Sequence, residues 1–201
     1  MRAPRCVLAF ALGCAPAAST DTGAGQDSAV TVDTAAEARA ADDARVRALD
    51  GAALPVGPDP CAPPLLVRVD YAVDGDTFYA TPADGSPRVK VRLIGIDTPE
   101  IEHDDPAECF GDEAHLYTHT ELRGRLAWLT FDRDCTDVYD RTLAYVSRDL
   151  GEDGFFNRRL ARAGYATHLE VAPNTTFADV ILADERAARA ERAGLWGGCA
   201  R

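Results

Sequence analysis

Three strand-like segments separated by glycine-containing turns constrain the fold of this chain more than any other feature. The first and third segments alternate between apolar and polar residues, which is typical of β-strands with one buried face, and the short segment between them also reads as a strand. The breaks between them contain Gly75 and the turn signal Asp84-Gly85, and short turns of this kind join neighbouring strands in antiparallel order. The sequence therefore predicts an antiparallel meander with strands at Leu65–Val73, Thr77–Thr81 and Arg88–Ile96.

The remaining periodic segments predict three helices and two further strands. Leu116, Leu122 and Leu126 form an apolar stripe along the first helix, and Gly164 ends the second. We expect helices at Asp112–Leu126, Phe155–Ala163 and Phe177–Ala193, and strands at Trp128–Phe131 and Thr142–Ser147. Periodicity alone thus predicts an α+β domain.

The first sixty residues differ in composition from the rest of the chain. Residues 1–14 combine two arginines with a short apolar run, which predicts a bacterial export signal, with a disordered start as the alternative. The residues before Cys14 resemble a lipoprotein processing site, so we expect a secreted or cell-envelope protein, with a lipid anchor on Cys14 as its only link to a membrane. Residues 15–60 lack a sustained apolar period and predict a disordered tether, with a transient helix at Ala35–Leu49 as the alternative, which leaves residues 61–201 as the folded domain.

Four cysteines lie within the predicted domain and allow three pairings. Cys61 and Cys199 bracket the domain, so a bond between them would join its two ends. We therefore predict the pairs Cys61–Cys199 and Cys109–Cys135. Four free thiols are the alternative if the protein stays in a reducing compartment.

The formal net charge of −12 argues against tight binding of nucleic acid. Affinity for a polynucleotide comes largely from neutralising its phosphates. A bound cation and a few well-placed arginines would offset the charge locally. If nucleic acid is the ligand, we expect weak, salt-sensitive and metal-dependent binding.

Several polar residues stand at the ends of the predicted strands. Asp76, Asp97 and Glu100 offer the hard oxygen ligands that Ca²⁺ or Mg²⁺ prefers, whereas Arg92 and Arg141 offer planar forks that fit a phosphate. A metal, a phosphate clamp and a spare carboxylate are the parts of a phosphodiester-cleaving site. The alternatives are ordinary turn or capping roles for the aspartates, a solvated Glu100, a strand-surface Arg92, and a salt bridge from Arg141 to Asp137 or Asp140.

The order and spacing of these motifs resemble the thermonuclease family, the staphylococcal-nuclease-like proteins. The resemblance covers residues 65–199 and implies an oligonucleotide-binding (OB) barrel with five strands and three helices. Its blocks are Val73–Thr77, Val91–Glu100, Gly111–Ala114, Tyr139–Tyr145, Asn157–Gly164 and Gly194–Trp196.

The resemblance also implies a role for each candidate residue. Asp76, Asp97 and the backbone carbonyl of Thr98 would hold one Ca²⁺, with Mg²⁺ as the alternative. Glu100 would activate the attacking water, and Arg92 and Arg141 would grip the scissile phosphate. Tyr139 would lie near the nucleotide, or else serve as a packing aromatic.

Three departures from the family pattern all weaken nucleotide holding rather than bond cleavage. Val138 replaces a lysine, Leu169 and Val171 replace a tyrosine pair, and the loop at residues 102–105 is acidic rather than lysine-rich. We therefore expect a monomeric, exported nuclease that cleaves DNA and RNA with little sequence specificity and leaves 3′-phosphate ends. The alternative is a non-catalytic module that binds nucleic acid or protein on the same barrel.

Overall fold

The computed structural model describes residues 34–101 and 106–199. The residues from Thr34 onward belong to one compact unit. The helices are α1 (Thr34–Arg47), α2 (Gly111–Leu122), α3 (Phe156–Ala163), α4 (Ala178–Glu191) and α5 (Leu195–Gly198), with a 3₁₀ turn at Gly51–Ala53. The strands are β1 (Leu65–Ala72), β2 (Thr77–Pro82), β3 (Val89–Leu93), β4 (Ile96–Asp97), β5 (Leu126–Thr130), β6 (Thr142–Ser147) and β7 (Thr167–His168).

Five strands close into a barrel in the order β1-β2-β3-β6-β5, which confirms the predicted five-stranded OB barrel. All neighbouring pairs are antiparallel except β3 and β6, which run parallel. Alternate side chains along β1 to β3 point inward, and Val67, Phe78 and Val91 are completely buried in the barrel core. The meander predicted from the alternation therefore forms three of the five barrel strands.

The first barrel helix is shorter than the sequence predicted. α2 ends at Leu122, and Gly124 then adopts a positive φ of 71° and donates its N–H to the carbonyl of Val69 at 2.8 Å. Leu126 consequently begins β5 instead of extending the helix. Leu122 and Leu126 are buried as expected, but Leu116 is 63% exposed and lies outside the predicted stripe.

The prediction of a disordered tether over residues 15–60 is wrong from Thr34 onward, where the chain forms α1 close to the helix that the sequence offered as the alternative. α1 packs against β5, with Val46 completely buried and its carbonyl accepting the Trp128 indole N–H at 2.9 Å. Ion pairs hold the same helix to the barrel, Asp43 with Arg68 at 2.6 Å, Arg45 with Asp149 at 2.6 Å, and Asp42 with Arg148. Because only one apolar side chain anchors α1, its sequence carries no apolar period. The predicted signal at residues 1–14, including Cys14, lies outside the described residues.

The predicted disulfide pairing is also wrong. The structure pairs Cys61 with Cys135, and Cys109 with Cys199. The Cys61 N–H donates to the Asp132 carbonyl at 2.7 Å, so the segment before β1 runs beside the chain that follows β5 and reaches Cys135. The C-terminal turn lies against Phe110, which brings Cys199 to Cys109 at the start of α2. Chain ends that bracket a domain in sequence are thus tied to its interior segments, not to each other.

Within residues 34–101 and 106–199, none of the helices combines the length and the apolar character that a bilayer crossing requires.

Candidate active site

The turn between β1 and β2 is built around Asp74, a residue for which no role was predicted from the sequence. Its Oδ1 accepts the backbone N–H groups of Asp76 at 2.9 Å and Thr77 at 2.6 Å. Gly75 is required because a Cβ there would lie 2.7 Å from the Thr98 side chain, and its carbonyl accepts the Thr118 hydroxyl at 2.6 Å. Asp-Gly-Asp-Thr is therefore a closed hydrogen-bonded turn, which fixes the backbone of Asp76.

The buried carboxylate of Asp76 points at the segment that follows β4. Its Oδ2 accepts the Thr98 N–H at 2.8 Å and the Thr98 hydroxyl at 3.2 Å, and its Oδ1 accepts the Thr77 hydroxyl at 3.1 Å. β4 is held in turn by antiparallel pairing of Asp97 with Thr167 on β7. The structure thus brings together Asp76, Asp97 and Thr98, the three residues predicted to hold a metal.

One guanidinium joins the two aspartates. Arg92 Nη1 lies 2.9 Å from Asp76 Oδ2, and Arg92 Nη2 lies 2.7 Å from Asp97 Oδ1. Nη1 also donates to the carbonyls of Leu93 at 3.0 Å and Ile96 at 2.9 Å. The alternative of a free strand-surface arginine therefore does not apply to Arg92, whose side chain is held at the centre of the carboxylate cluster.

The electrostatic environment of Asp76 opposes its ionisation. Burial is the main cause that raises the pKa of this carboxyl, and together with the neighbouring Asp74 and Asp97 it brings the pKa to about 7, against the opposing effects of Arg92 and the Thr98 N–H. One guanidinium is thus insufficient to keep the carboxyl strongly acidic. Additional positive charge at this position would stabilise the ionised form.

The donor set fits a hard divalent cation. No group of three or more His, Cys, Asp or Glu side chains arranged for a metal occurs in the part of the chain that the structure describes. The predicted set, however, has only two carboxylates and a backbone carbonyl, and the Asp97 side chain is half exposed and accessible to an ion from solution. With so few protein ligands, water would complete the coordination of Ca²⁺ and the affinity would be modest.

Glu100 follows the cluster on an exposed segment, where its backbone is held on both sides. Its N–H donates to Glu108 Oε2 at 3.1 Å, and its carbonyl accepts the Glu108 N–H at 2.9 Å. Gly111 permits α2 to begin against this carbonyl, since a Cβ there would lie 2.2 Å from the Glu100 oxygen. Partial burial raises the pKa of the Glu100 carboxyl, and Asp74 and Asp97 raise it further.

Arg141 is held by the turn that precedes β6. Its Nε lies 2.7 Å from Asp137 Oδ2, while its own N–H and that of Tyr139 both donate to Asp137 Oδ1 at 2.9 Å. The salt bridge that the sequence offered as an alternative therefore exists, with Asp137 and not with Asp140. Tyr139 is 76% exposed and its ring lies 5.4 Å from the Arg141 guanidinium, so it is not a core-packing aromatic.

A cavity of about 560 Å³ links the two arginines. Arg92, Arg141 and Tyr139 line it together with the apolar side chains of Leu169 and Val171. The exposed aliphatic groups at 138, 169 and 171 therefore stand around the cleft where the family has a lysine and two tyrosines. The two guanidinium groups share this cleft, while Asp137 supports one of them and the aspartate cluster the other.

The barrel and its cleft define an OB-fold protein, and comparison with known proteins identifies its family. The family model described as "Staphylococcal nuclease homologue" matches residues 90–198, more than half of the chain. The thermonuclease of Staphylococcus intermedius is 35% identical over 129 residues, which are 64% of this chain and 74% of that protein. The thermonuclease of Staphylococcus hyicus is 33% identical over 130 residues, with the same shares of both chains.

The SPbeta prophage-derived endonuclease YokF of Bacillus subtilis is 34% identical over 136 residues, 65% of this chain and 43% of that protein. The chain belongs to the staphylococcal nuclease homologue family. The matched family region begins at Lys90 and so contains Arg92, Asp97, Glu100 and Arg141 but not Asp76.

Proposed function

We propose that this chain is an exported, calcium-dependent nuclease that hydrolyses phosphodiester bonds of DNA and RNA with little sequence specificity and leaves 3′-phosphate ends. A nuclease role on nucleic acid follows from membership in the family and from relatives named thermonuclease and endonuclease. The observation that carries the proposal is Arg92, which contacts both aspartates of the cluster while it lines the same cavity as Arg141.

The two arginines suit the charge changes of phosphodiester hydrolysis. In-line attack by water builds negative charge on the oxygens around phosphorus, and fixed cations at those oxygens stabilise the transition state more than the ground state. Arg92 and Arg141 reach one cleft from β3 and from the turn before β6. Each is oriented by a carboxylate, so little reorganisation is required when the phosphate enters.

Glu100 is suited to accept the proton of the attacking water. Its side chain is exposed beside the cluster, and its raised pKa lies closer to neutrality than that of an ordinary glutamate, which favours general-base catalysis. Asp76, Asp97 and the Thr98 carbonyl would hold the divalent cation, which when bound supplies positive charge for the phosphate and for the water.

Export is supported by the cysteines of the domain. All four are paired in two disulfides, and such bonds persist in oxidising compartments. We propose that the nuclease acts outside the cytoplasm as a monomer, either free or anchored through Cys14. Among the cleft residues that the structure describes, none is suited to reading base edges, which favours low sequence specificity.

The proposal is tested by incubating single-stranded DNA with the protein and Ca²⁺, then adding a chelator. We expect cleavage that stops on chelation and resumes when Ca²⁺ is restored. Arg92→Ala, Arg141→Ala and Glu100→Gln should each lower kcat by roughly a hundredfold or more. Near-normal turnover in any of these variants would remove that residue from the mechanism.

Matched controls separate loss of chemistry from loss of charge. Glu113→Gln on α2 and Arg162→Ala on α3 remove the same charges from exposed positions outside the cleft and should retain wild-type kcat. Cleavage that survives chelation would contradict metal dependence. Binding of DNA without cleavage would favour the non-catalytic module instead.

A further inference from the structure

The outer face of the barrel carries a row of cations that leads away from the cleft. Along β3, Val91 and Leu93 point into the core, so Lys90 and Arg92 both lie on the outward face. Two residues of an extended strand separate their Cα atoms by about 7 Å. Arg88 immediately precedes the strand and continues the row. Lys90 is the single lysine of a chain whose net charge is −12, and it has no ion pair among residues 34–101 and 106–199.

Two tyrosines hold the far end of this row in place. Strand pairing sets Tyr71, Tyr79 and Lys90 side by side across β1, β2 and β3. The Arg88 guanidinium lies 4.1 Å from the centre of the Tyr79 ring and 5.1 Å from that of Tyr71, and the Lys90 ammonium lies 5.9 Å from the Tyr79 ring. Cation–π contacts of this kind fix a cation without neutralising it.

Arg92 is paired with Asp76 and Asp97, whereas at the far end of the row the described residues place one acidic side chain, that of Asp70, beside Arg88. Asp70 Oδ2 lies 3.2 Å from Arg88 Nε, but both side chains are exposed by 30% or more. An exposed pair of this kind contributes only about 0–1 kcal/mol, so a phosphate can compete with Asp70 for the guanidinium. Lys90 faces no such competitor among the described residues.

We propose that the phosphate track, formed by Arg88 and Lys90 above Tyr71 and Tyr79, binds the backbone of a single-stranded polynucleotide whose scissile phosphate lies at Arg92. This inference rests on the proposed function, because it takes the occupant to be the substrate strand. Continuity with Arg92 along one face of β3 and charge complementarity within an acidic protein both point to that occupant. Exposed ring surface on Tyr71 is available to stack a base.

The track is tested by binding, independently of cleavage. The probe is a fluorescein-labelled oligothymidylate of about 12 nucleotides in chelator, within the length that one OB barrel can contact. The double variant Arg88→Gln/Lys90→Gln should weaken binding at least about fivefold at roughly 50 mM salt. It should also lower the slope of log Kd against log salt by about 1.4, because each phosphate contact to a single strand contributes about 0.7 to that slope and two contacts are lost. With Ca²⁺, the ratio of kcat/KM for this oligomer to that for a dinucleotide should fall by a similar factor.

The matched control is Arg162→Gln/Arg189→Gln on α3 and α4. It removes the same charge from two exposed arginines, one of which lies 4.1 Å from the centre of the Trp196 ring. We expect this control to bind the oligomer within twofold of wild type. An unchanged affinity and salt slope in the track variant, or an equal loss in the control, would overturn the inference. Wild-type binding through the track without any cleavage would refute the proposed function and leave the track standing.

Discussion

Glu108 holds the backbone of Glu100 through two hydrogen bonds: its carboxylate accepts the Glu100 N–H at 3.1 Å, and its own N–H donates to the Glu100 carbonyl at 2.9 Å. The next residue, Cys109, is bonded to Cys199, so the chain at Glu108 is tied covalently to the C-terminal turn. Glu108 is therefore a positioning residue for the proposed general base.

Truncation of Glu108 should misplace Glu100. We expect Glu108→Ala to lower kcat about tenfold with little change in KM, because small misplacements of a catalytic group are costly. Glu108→Gln keeps an oxygen that accepts the Glu100 N–H and should restore most of the turnover. Steady-state kinetics on a single-stranded oligonucleotide measure both, and equal losses in the two variants would contradict a positioning role.

Asp137 should matter for the proposed phosphate clamp. Burial opposes its ionisation, but the N–H and the side chain of Arg141 outweigh that effect and lower the pKa of its carboxyl. Asp137→Asn removes the ion pair and should lower kcat/KM about tenfold, since Arg141 loses its fixed orientation. Asp140→Asn removes the same charge at a left-handed position that asparagine tolerates, and should stay within twofold. A larger effect at Asp140 would contradict the assigned partner.

Val46 should contribute to the stability of the folded unit. Val46→Ala removes two buried methyl groups and should lower the free energy of unfolding by about 2 kcal/mol. Val180→Ala makes the same chemical change at a position that is 41% exposed and should have little effect. Urea denaturation followed by Trp128 fluorescence, in a Trp196→Phe background, measures the difference. Equal stability of the two variants would show that α1 does not anchor to the barrel.

The docking of α1 should depend on pH through Asp42. Burial opposes its ionisation, but Arg45 and Arg148 outweigh that effect and hold the pKa of Asp42 below its ordinary value of 3.8. Its contribution to stability is therefore present above pH 3.8 and is lost as pH falls through the lower pKa of the folded state. Asp42→Asn should be less stable than wild type near neutral pH, and the difference should shrink below pH 3.8. A difference that is constant with pH would refute the linkage.

The two disulfides should be recovered by peptide mapping without reductant. We expect peptides that join Cys61 to Cys135 and Cys109 to Cys199, and none that joins Cys61 to Cys199. Replacing either bonded pair by serines should lower stability by roughly 2–4 kcal/mol, because each bond closes a long loop in the unfolded chain. Any other linkage in the native protein would contradict the structure.

Much of the barrel could be predicted because its signals are local. Alternation in β1 to β3 follows from one buried face, and Gly75 and Gly85 mark the turns between those strands. The motif residues Asp76, Arg92 and Asp97 lie at strand ends, and the closure of the barrel brings them into contact. The supporting residues Asp74 and Glu108 had no such signal, since the sequence of a turn does not show whether its acidic side chain contacts a neighbour. Asp137 was named only as one of two possible partners of Arg141, and the structure shows that it is the partner.

The sequence by itself determined the strand meander and the family, because side-chain alternation and motif spacing are properties of short stretches of chain. Only the tertiary structure decided which cysteines meet, that α1 docks through Val46, and that Tyr71 and Tyr79 lie beside Arg88 and Lys90. These features depend on distances between residues far apart in the chain, or on neighbouring strands of the sheet. Such distances are set by how the whole barrel closes and not by any local pattern.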